Sequence, residues 1–260
     1  MSIALAVTAA TLYALAAALA LRASRHASAV VLVALVLHAA ALLQQVLPGG
    51  VLRLGVTEAV SVFAWQAAVL LWLLCQVQPL QILGVAVYPL AAAGALAAAL
   101  HPSSVMGIPL QQWKVQLHVV LSLFSAGFLT LAAAQAAMLA VQDRLLHQHQ
   151  SNRLMQALPP MDTMEKALFQ LILLGFFMLS LSLVTGLLFV DHLMAQHLAH
   201  KTVLSITSWL VFGLLLWGRW QRGWRGRTAI RWTLSGYAIL ILAYFGSKVV
   251  LEQILGRHWS

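Results

Sequence analysis

The chain has 260 residues, of which 62% are hydrophobic and only 8% are charged, and its formal net charge is +9. A mean hydropathy of +0.90 excludes an ordinary soluble globular protein and indicates one embedded in a membrane. The rule that a span needs about 20 apolar residues predicts eight spans, at 2–21, 27–47, 58–77, 80–100, 113–142, 168–190, 202–217 and 232–252.

These segments are too long and too uniformly apolar for barrel strands, so we expect helices throughout. The predicted fold is an all-α, polytopic integral membrane bundle of about eight transmembrane helices. Because the spans fill nearly the whole sequence, we expect 1–260 to form a single integral membrane domain.

The first span differs from a signal peptide in the position of its charges. Nothing basic precedes it, whereas Arg22 and Arg25 follow it, which predicts an uncleaved helix with its N-terminus outside. Placing the loops 22–26, 143–167 and 218–231 in the cytoplasm puts most Lys and Arg residues on that side. The positive charge is thereby explained by topology and by contact with anionic membrane lipid, without nucleic acid.

Residues that the sequence lacks exclude several chemistries. A single cysteine, Cys75, excludes covalent haem attachment through Cys-x-x-Cys-His, a thiolate zinc cluster and a dithiol pair. A Gly-rich loop with a Walker lysine is also missing, which excludes ATP hydrolysis by this chain. We expect no catalytic residues and a protein that is not an enzyme.

Two histidines within predicted spans are the main candidates for a functional site, because an ionisable group in hydrocarbon is costly unless it has a partner. His38 lies about 17 Å along its span from the inner side, and His118 lies about 8 Å below the outer end of its span. Both should lie in the outer half of the bilayer, where two imidazoles on facing helices could be the axial ligands of one haem b iron. The alternatives are hydrogen bonding between helices and a proton or substrate pathway.

Other polar residues are weaker candidates. Ser122 and Ser125 follow His118 by four and seven residues, so the three should form one stripe that faces the bundle. Lys248 could neutralise a haem propionate near the outer surface. A possible outer metal site is formed by His192, His197 and His200, although their spacings match no standard ligand pattern.

The C-terminal part of the chain resembles the cytochrome c assembly family of CcsA and CcmC type. The resemblance is carried by Lys201 to Trp217, Gly223 to Arg227, Gly236, Ala243 to Lys248, and the histidine-bearing helix Leu117 to Ser125. Pro159-Pro160, Met164 to Lys166 and Thr185 to Leu187 point to its YpjD/HemX-like branch of bacterial inner-membrane proteins. The resemblance covers most of the chain, with an assembly-like core at about 58–252.

The resemblance implies a multi-pass inner-membrane protein that binds or handles haem, with a cytochrome c assembly protein or another membrane protein as partner. His118 matches a family haem-ligand position, and His38 matches the second-span histidine of the YpjD-like branch. His258 is a loose match to a second outer histidine of the larger family.

One departure from the family affects the expected function. Members that present haem to apocytochrome carry a Trp-rich outer motif before the seventh span, whereas the loop from Asp191 to Lys201 contains no tryptophan. We therefore expect a protein that holds, relays or senses haem without the usual surface for presenting it. The alternatives are a regulatory or scaffold subunit that binds no haem and acts on a metal-ion transport or tetrapyrrole-synthesis partner, and a permease, against which the lack of clear inverted repeats argues.

Overall fold

The computed structural model describes residues 2–22, 27–46, 56–76, 80–102, 113–148, 159–189 and 196–246, with the backbone alone at 2, 56, 196–200, 245 and 246. Its helices, numbered in chain order, are α1 (Ser2–Leu21), α2 (Ala27–Val46), α3 (Val56–Leu74), α4 (Gly84–Leu100), α5 (Trp113–His147), α6 (Met161–Phe189), α7 (Gln196–Arg222) and α8 (Gly226–Ile241). A one-turn 3₁₀ helix, Gln81–Leu83, precedes α4, and a π-helical turn, Leu242–Gly246, follows α8.

Long apolar helices account for nearly all of the described chain. Seven of them are long and apolar enough to cross a membrane, which confirms the prediction of a polytopic helical bundle. The eighth predicted span, 232–252, begins within α8 and continues beyond the described residues. The protein is therefore a multi-pass membrane protein.

Several helices extend beyond the apolar segments that predicted them. α6 begins at Met161 rather than 168, directly after Pro159 and Pro160, whose fixed φ suits the start of a helix. α7 begins at Gln196 and ends at Arg222, whereas the sequence predicted a span of 202–217. Polar and aromatic residues at the membrane boundary continue the helix because their backbone bonds do not depend on hydropathy.

Residue contacts group the chain into two compact units. Unit 1 comprises 1–113 and 141–164, and unit 2 comprises 114–140 and 165–260. This grouping reports the contacts inside each unit. The single membrane domain over 1–260 therefore stays a prediction.

Small side chains bring the helices of unit 1 together. Ala6, Ala41, Ala95 and Ala99 form one buried cluster shared by α1, α2 and α4. On α4, a Cβ added at Gly94 would lie 3.1 Å from the Ala64 Cβ of α3. The hydrophobic effect does not drive helices together in lipid. Such close approach of the backbones therefore matters, because it supplies the van der Waals contact that holds the bundle.

Unit 2 packs α5, α6, α7 and α8 together. The buried side chain of Phe212 on α7 lies against Gly236 of α8, where an added Cβ would approach its ring to 3.0 Å. Ser208 Oγ on α7 donates a hydrogen bond of 2.9 Å to the Gly236 carbonyl oxygen. These contacts hold α7 against α8.

The turn between α7 and α8 is organised around Glu165. Its carboxylate accepts hydrogen bonds from the Gly226 backbone N–H at 3.1 Å and from Arg219 Nη1 at 3.4 Å. Gly223 and Gly226 adopt φ values of 65° and 54°, in the left-handed region that favours glycine. A three-residue connection can therefore reverse the chain here.

Candidate functional site

His118 lies on α5 and is half-buried against α6 within unit 2. Its Nδ1 is 2.9 Å from the carbonyl oxygen of Ser182. Because a carbonyl oxygen only accepts, Nδ1 carries a proton, and in the neutral imidazole this leaves the lone pair on Nε2. This hydrogen bond to the backbone leaves His118 in the tautomer that can bind a metal through Nε2.

Hydroxyl groups surround the same contact. Thr185 Oγ1 donates to the Ser182 carbonyl at 3.0 Å and lies 3.4 Å from His118 Nδ1. Ser122 Oγ is 2.6 Å from Ser182 Oγ, and Tyr244 Oη donates to the Ser122 carbonyl at 3.1 Å. The predicted polar stripe of α5 therefore does face the bundle, and α6 provides most of its partners.

Glycine at position 186 makes room for the imidazole. A Cβ built there would lie 3.0 Å from His118 Cε1 and 3.3 Å from its Nδ1. Contacts this short are tighter than nine in ten real Cβ contacts, so the ring would have to shift by a few tenths of an ångström. Gly186 thus lets α6 approach His118 closely enough for the hydrogen bond to Ser182.

His118 lines a cavity of about 580 Å³ within unit 2. Most of the lining is apolar, from α5, α6, α7 and the π-helical turn, and its polar members include His118, Ser122, Ser182, Lys201, Thr202, Ser205 and Tyr244. A concave, largely apolar site of this size with a few placed polar groups is typical of cofactor binding. Three apolar lining residues are exposed, namely Val184, Leu187 and Ile206.

His38 lies in unit 1 and is fully buried on α2. Its Nε2 is 2.9 Å from Ser61 Oγ on α3, and its Nδ1 is 3.3 Å from Tyr13 Oη on α1. Tyr13 also stacks on Tyr88 of α4, with ring centroids 6.1 Å apart. His38 thus links three helices, and a metal could reach it only if one of these hydrogen bonds were given up.

The structure places the two candidate histidines in different units, each with partners from its own unit. Their role as a shared pair of axial ligands stays a prediction. Lys248, His258 and His192 lie outside the described residues, as do the side chains of His197 and His200. In the ranges that are described, no group of three His, Cys, Asp or Glu side chains could hold a metal ion.

Sequence reasoning missed several residues of the cavity. Lys201 was placed in the outer loop, but it belongs to α7 and lines the cavity. Trp209 stacks on Phe176 with ring centroids 5.5 Å apart, and it also lines the cavity. Ser182 and Gly186 are four residues apart on one face of α6, a spacing that could have indicated them once α6 was known to contact His118.

Comparison with known proteins agrees with the membrane fold. The family model described as "Cytochrome C assembly protein" matches residues 2–255. The inner membrane protein YpjD of Escherichia coli K12 is 39% identical over 137 residues, which are 53% of this chain and 52% of the relative. Protein HemX of Brevibacillus brevis is 27% identical over 131 residues, 50% of this chain and 48% of HemX.

The cytochrome c biogenesis protein CcsA of Synechocystis is 24% identical over 106 residues, 40% of this chain and 32% of CcsA. The matched segments thus span about half the length of YpjD and HemX and a third of CcsA. No solved structure matches the chain significantly. Because the family model covers nearly the whole sequence, the chain belongs to the cytochrome C assembly protein family.

Proposed function

We propose that this protein holds haem in the cavity of unit 2, with His118 Nε2 as an axial ligand of the iron, and that it handles haem without catalysing a reaction. The observation that carries the proposal is His118 on the wall of a 580 Å³ apolar cavity, with its Nδ1 proton donated to the Ser182 carbonyl. The proposed cofactor is haem b, since the sequence has no site for covalent attachment.

The residues present fit such a group. An apolar lining suits the macrocycle, and a histidine whose other nitrogen is hydrogen-bonded to a carbonyl is a typical arrangement for a metal ligand. The hydrogen bond orients the imidazole and raises the basicity of Nε2. When bound, haem would supply an iron centre whose redox potential depends on its axial ligands and its burial.

His38 is the proposed second ligand only if it exchanges a hydrogen bond for the iron. Its bonds to Ser61 and Tyr13 satisfy both ring nitrogens as they stand. Loss of one such bond between membrane helices costs about 0.6 kcal/mol on average and rarely more than about 1.7 kcal/mol. Haem bound through His118 alone therefore needs less rearrangement than haem bound through both histidines.

The family and the relatives' names support a role in cytochrome assembly. YpjD is named an inner membrane protein, and CcsA is named a cytochrome c biogenesis protein. We infer that this chain lies in the inner membrane and relays or stores haem for a membrane partner. The lack of tryptophan from Asp191 to Lys201 favours holding haem within the bundle over presenting it at the outer surface.

A second candidate function is a scaffold or regulatory subunit that binds no haem. The observation that favours it is His38, whose two hydrogen bonds already explain a buried histidine that joins α1, α2 and α3. In that case His118 would serve in the same way, through its contact with α6.

Absorption spectroscopy of the purified protein tests these candidates. We expect protein from haem-replete cells to show a Soret band, and His118→Ala to lose most of the bound haem. His147→Ala is the matched control, because His147 is exposed and contacts Asp143 of its own helix. Colourless protein after haem supplementation, or haem content unchanged in His118→Ala, would contradict the proposal and favour the scaffold.

The same series decides the role of His38. If His38 is the second ligand, His38→Ala changes the position of the reduced α band as well as the haem content. If His38 only links helices, the variant is less stable but its haem spectrum per bound haem is that of the unmodified protein.

A further inference from the structure

Lys201 contributes a charged group to the lining of a cavity that is mostly apolar. It is half-buried on α7, and among the described residues that line the cavity it alone carries a permanent charge. Thr202 and Ser205 line the same cavity, and Ser205 is four residues from Lys201, on the same helix face. One ammonium group and two hydroxyls therefore occur together in a lining that is otherwise mostly apolar.

A charged group in the lining of an apolar cavity favours a ligand of the opposite sign. An ammonium that is partly removed from water interacts more strongly with an anion than a fully solvated one does. Hydroxyl groups can donate to the oxygens of a carboxylate, so Thr202 and Ser205 complement the lysine. The lining as a whole matches an amphipathic molecule with an apolar body and a carboxylate at one end.

We propose that Lys201, supported by Ser205 and Thr202, binds a carboxylate of the ligand and so determines which way the ligand enters the cavity. This inference rests on the proposed function, in which the carboxylate is a haem propionate. Lys248, the residue that the sequence suggested for this role, lies outside the described residues, whereas Lys201 lines the cavity together with His118.

Capping the carboxylates of the ligand provides a direct test. Haemin and haemin dimethyl ester share the same macrocycle and iron, but only haemin carries negative propionates. We expect the protein reconstituted in lipid nanodiscs to bind haemin at least about tenfold more tightly than the ester, as judged by Soret titration. Lys201→Met should remove most of this preference by weakening haemin binding, and Lys201→Arg should keep it.

Lys114→Met is the matched control. Lys114 is an exposed lysine at the start of α5, with its Nζ 5.7 Å from the centroid of the Phe189 ring, and it does not line the cavity. We expect this variant to keep the full preference for haemin. Unchanged binding of the ester by Lys201→Met would show that the variant is folded.

The outcomes distinguish the role of Lys201 from haem binding itself. If Lys201→Met keeps the full preference for haemin, the role of Lys201 is overturned while haem binding stands. If it weakens binding of both ligands equally, the lysine acts on structure rather than on the carboxylate, and the inference also fails. If neither ligand produces a Soret shift with the unmodified protein, the proposed function fails, and this inference fails with it.

Discussion

Gly186 and His118 are in contact across α5 and α6, such that a single methyl group at position 186 would lie 3.0 Å from the imidazole Cε1. The glycine and the histidine are 68 positions apart in the sequence. Their contact lets the imidazole reach the Ser182 carbonyl, and so a residue without a side chain contributes to the geometry of the site.

Gly186→Ala should therefore displace the imidazole of His118. Overpacking of this kind costs about 1–3 kcal/mol of stability, and loss of the supporting hydrogen bond typically weakens a metal site by about 10–100-fold. We expect weaker haem binding in a Soret titration and a lower melting temperature in detergent.

Gly213→Ala is the control for this prediction. A Cβ at Gly213 would lie 3.4 Å from the Phe176 ring, an ordinary van der Waals contact, and Gly213 does not line the cavity. This variant should bind haem like the unmodified protein. Equal haem affinity in both glycine variants would show that Gly186 does not position His118.

Ser61→Ala should destabilise unit 1 by removing the hydrogen bond to His38 Nε2. Hydrogen bonds between membrane helices contribute about 0.6 kcal/mol on average and rarely more than about 1.7 kcal/mol, so we expect a loss in that range. The measurement is the free energy of unfolding in mixed micelles.

Thr8→Val provides the baseline for that measurement. Thr8 is exposed, and its hydroxyl donates to carbonyls of its own helix, at Ala4 and Leu5. Its replacement should change stability little. Additivity of Ser61→Ala with His38→Ala, rather than a coupling between them, would mean that the hydrogen bond contributes nothing.

Gly223→Ala should destabilise the turn between α7 and α8 although there is free space around position 223. An added Cβ there meets no atom within 4 Å, so a steric clash with neighbours is excluded and only the φ of 65° matters. An L residue in this region costs about 1 kcal/mol, whereas asparagine tolerates it better. Thermal unfolding should therefore rank glycine above asparagine and asparagine above alanine, and an alanine variant as stable as the glycine parent would refute the explanation.

The spans were predictable because hydropathy decides which segments lie in lipid. The predicted segments 2–21 and 27–47 agree with α1 and α2 to within about one residue. The ends of α6 and α7 were missed because the residues beyond the apolar core, such as Asp162 and Arg222, are polar yet remain helical. Hydropathy reports where lipid ends, and a helix continues until its backbone bonds are broken.

The site was predictable only in part. His118 and its companions Ser122 and Ser125 follow from helical spacing, because local periodicity determines which side chains share a face. The contact between His118 and Ser182 joins residues 64 positions apart, and the sequence does not show which helices are neighbours. The same holds for Lys201, whose place in the cavity depends on how α7 packs beside α6.

The atom that holds the proton of His118 in place belongs to the main chain. A substitution at Ser182 exchanges the hydroxyl that contacts Ser122, but every residue at that position still presents the same carbonyl oxygen to the imidazole. The tautomer of His118 is therefore determined by the backbone of α6 and does not depend on which side chain occupies position 182. Evolution can vary position 182 and keep the lone pair on Nε2, provided that α6 stays helical and position 186 stays small.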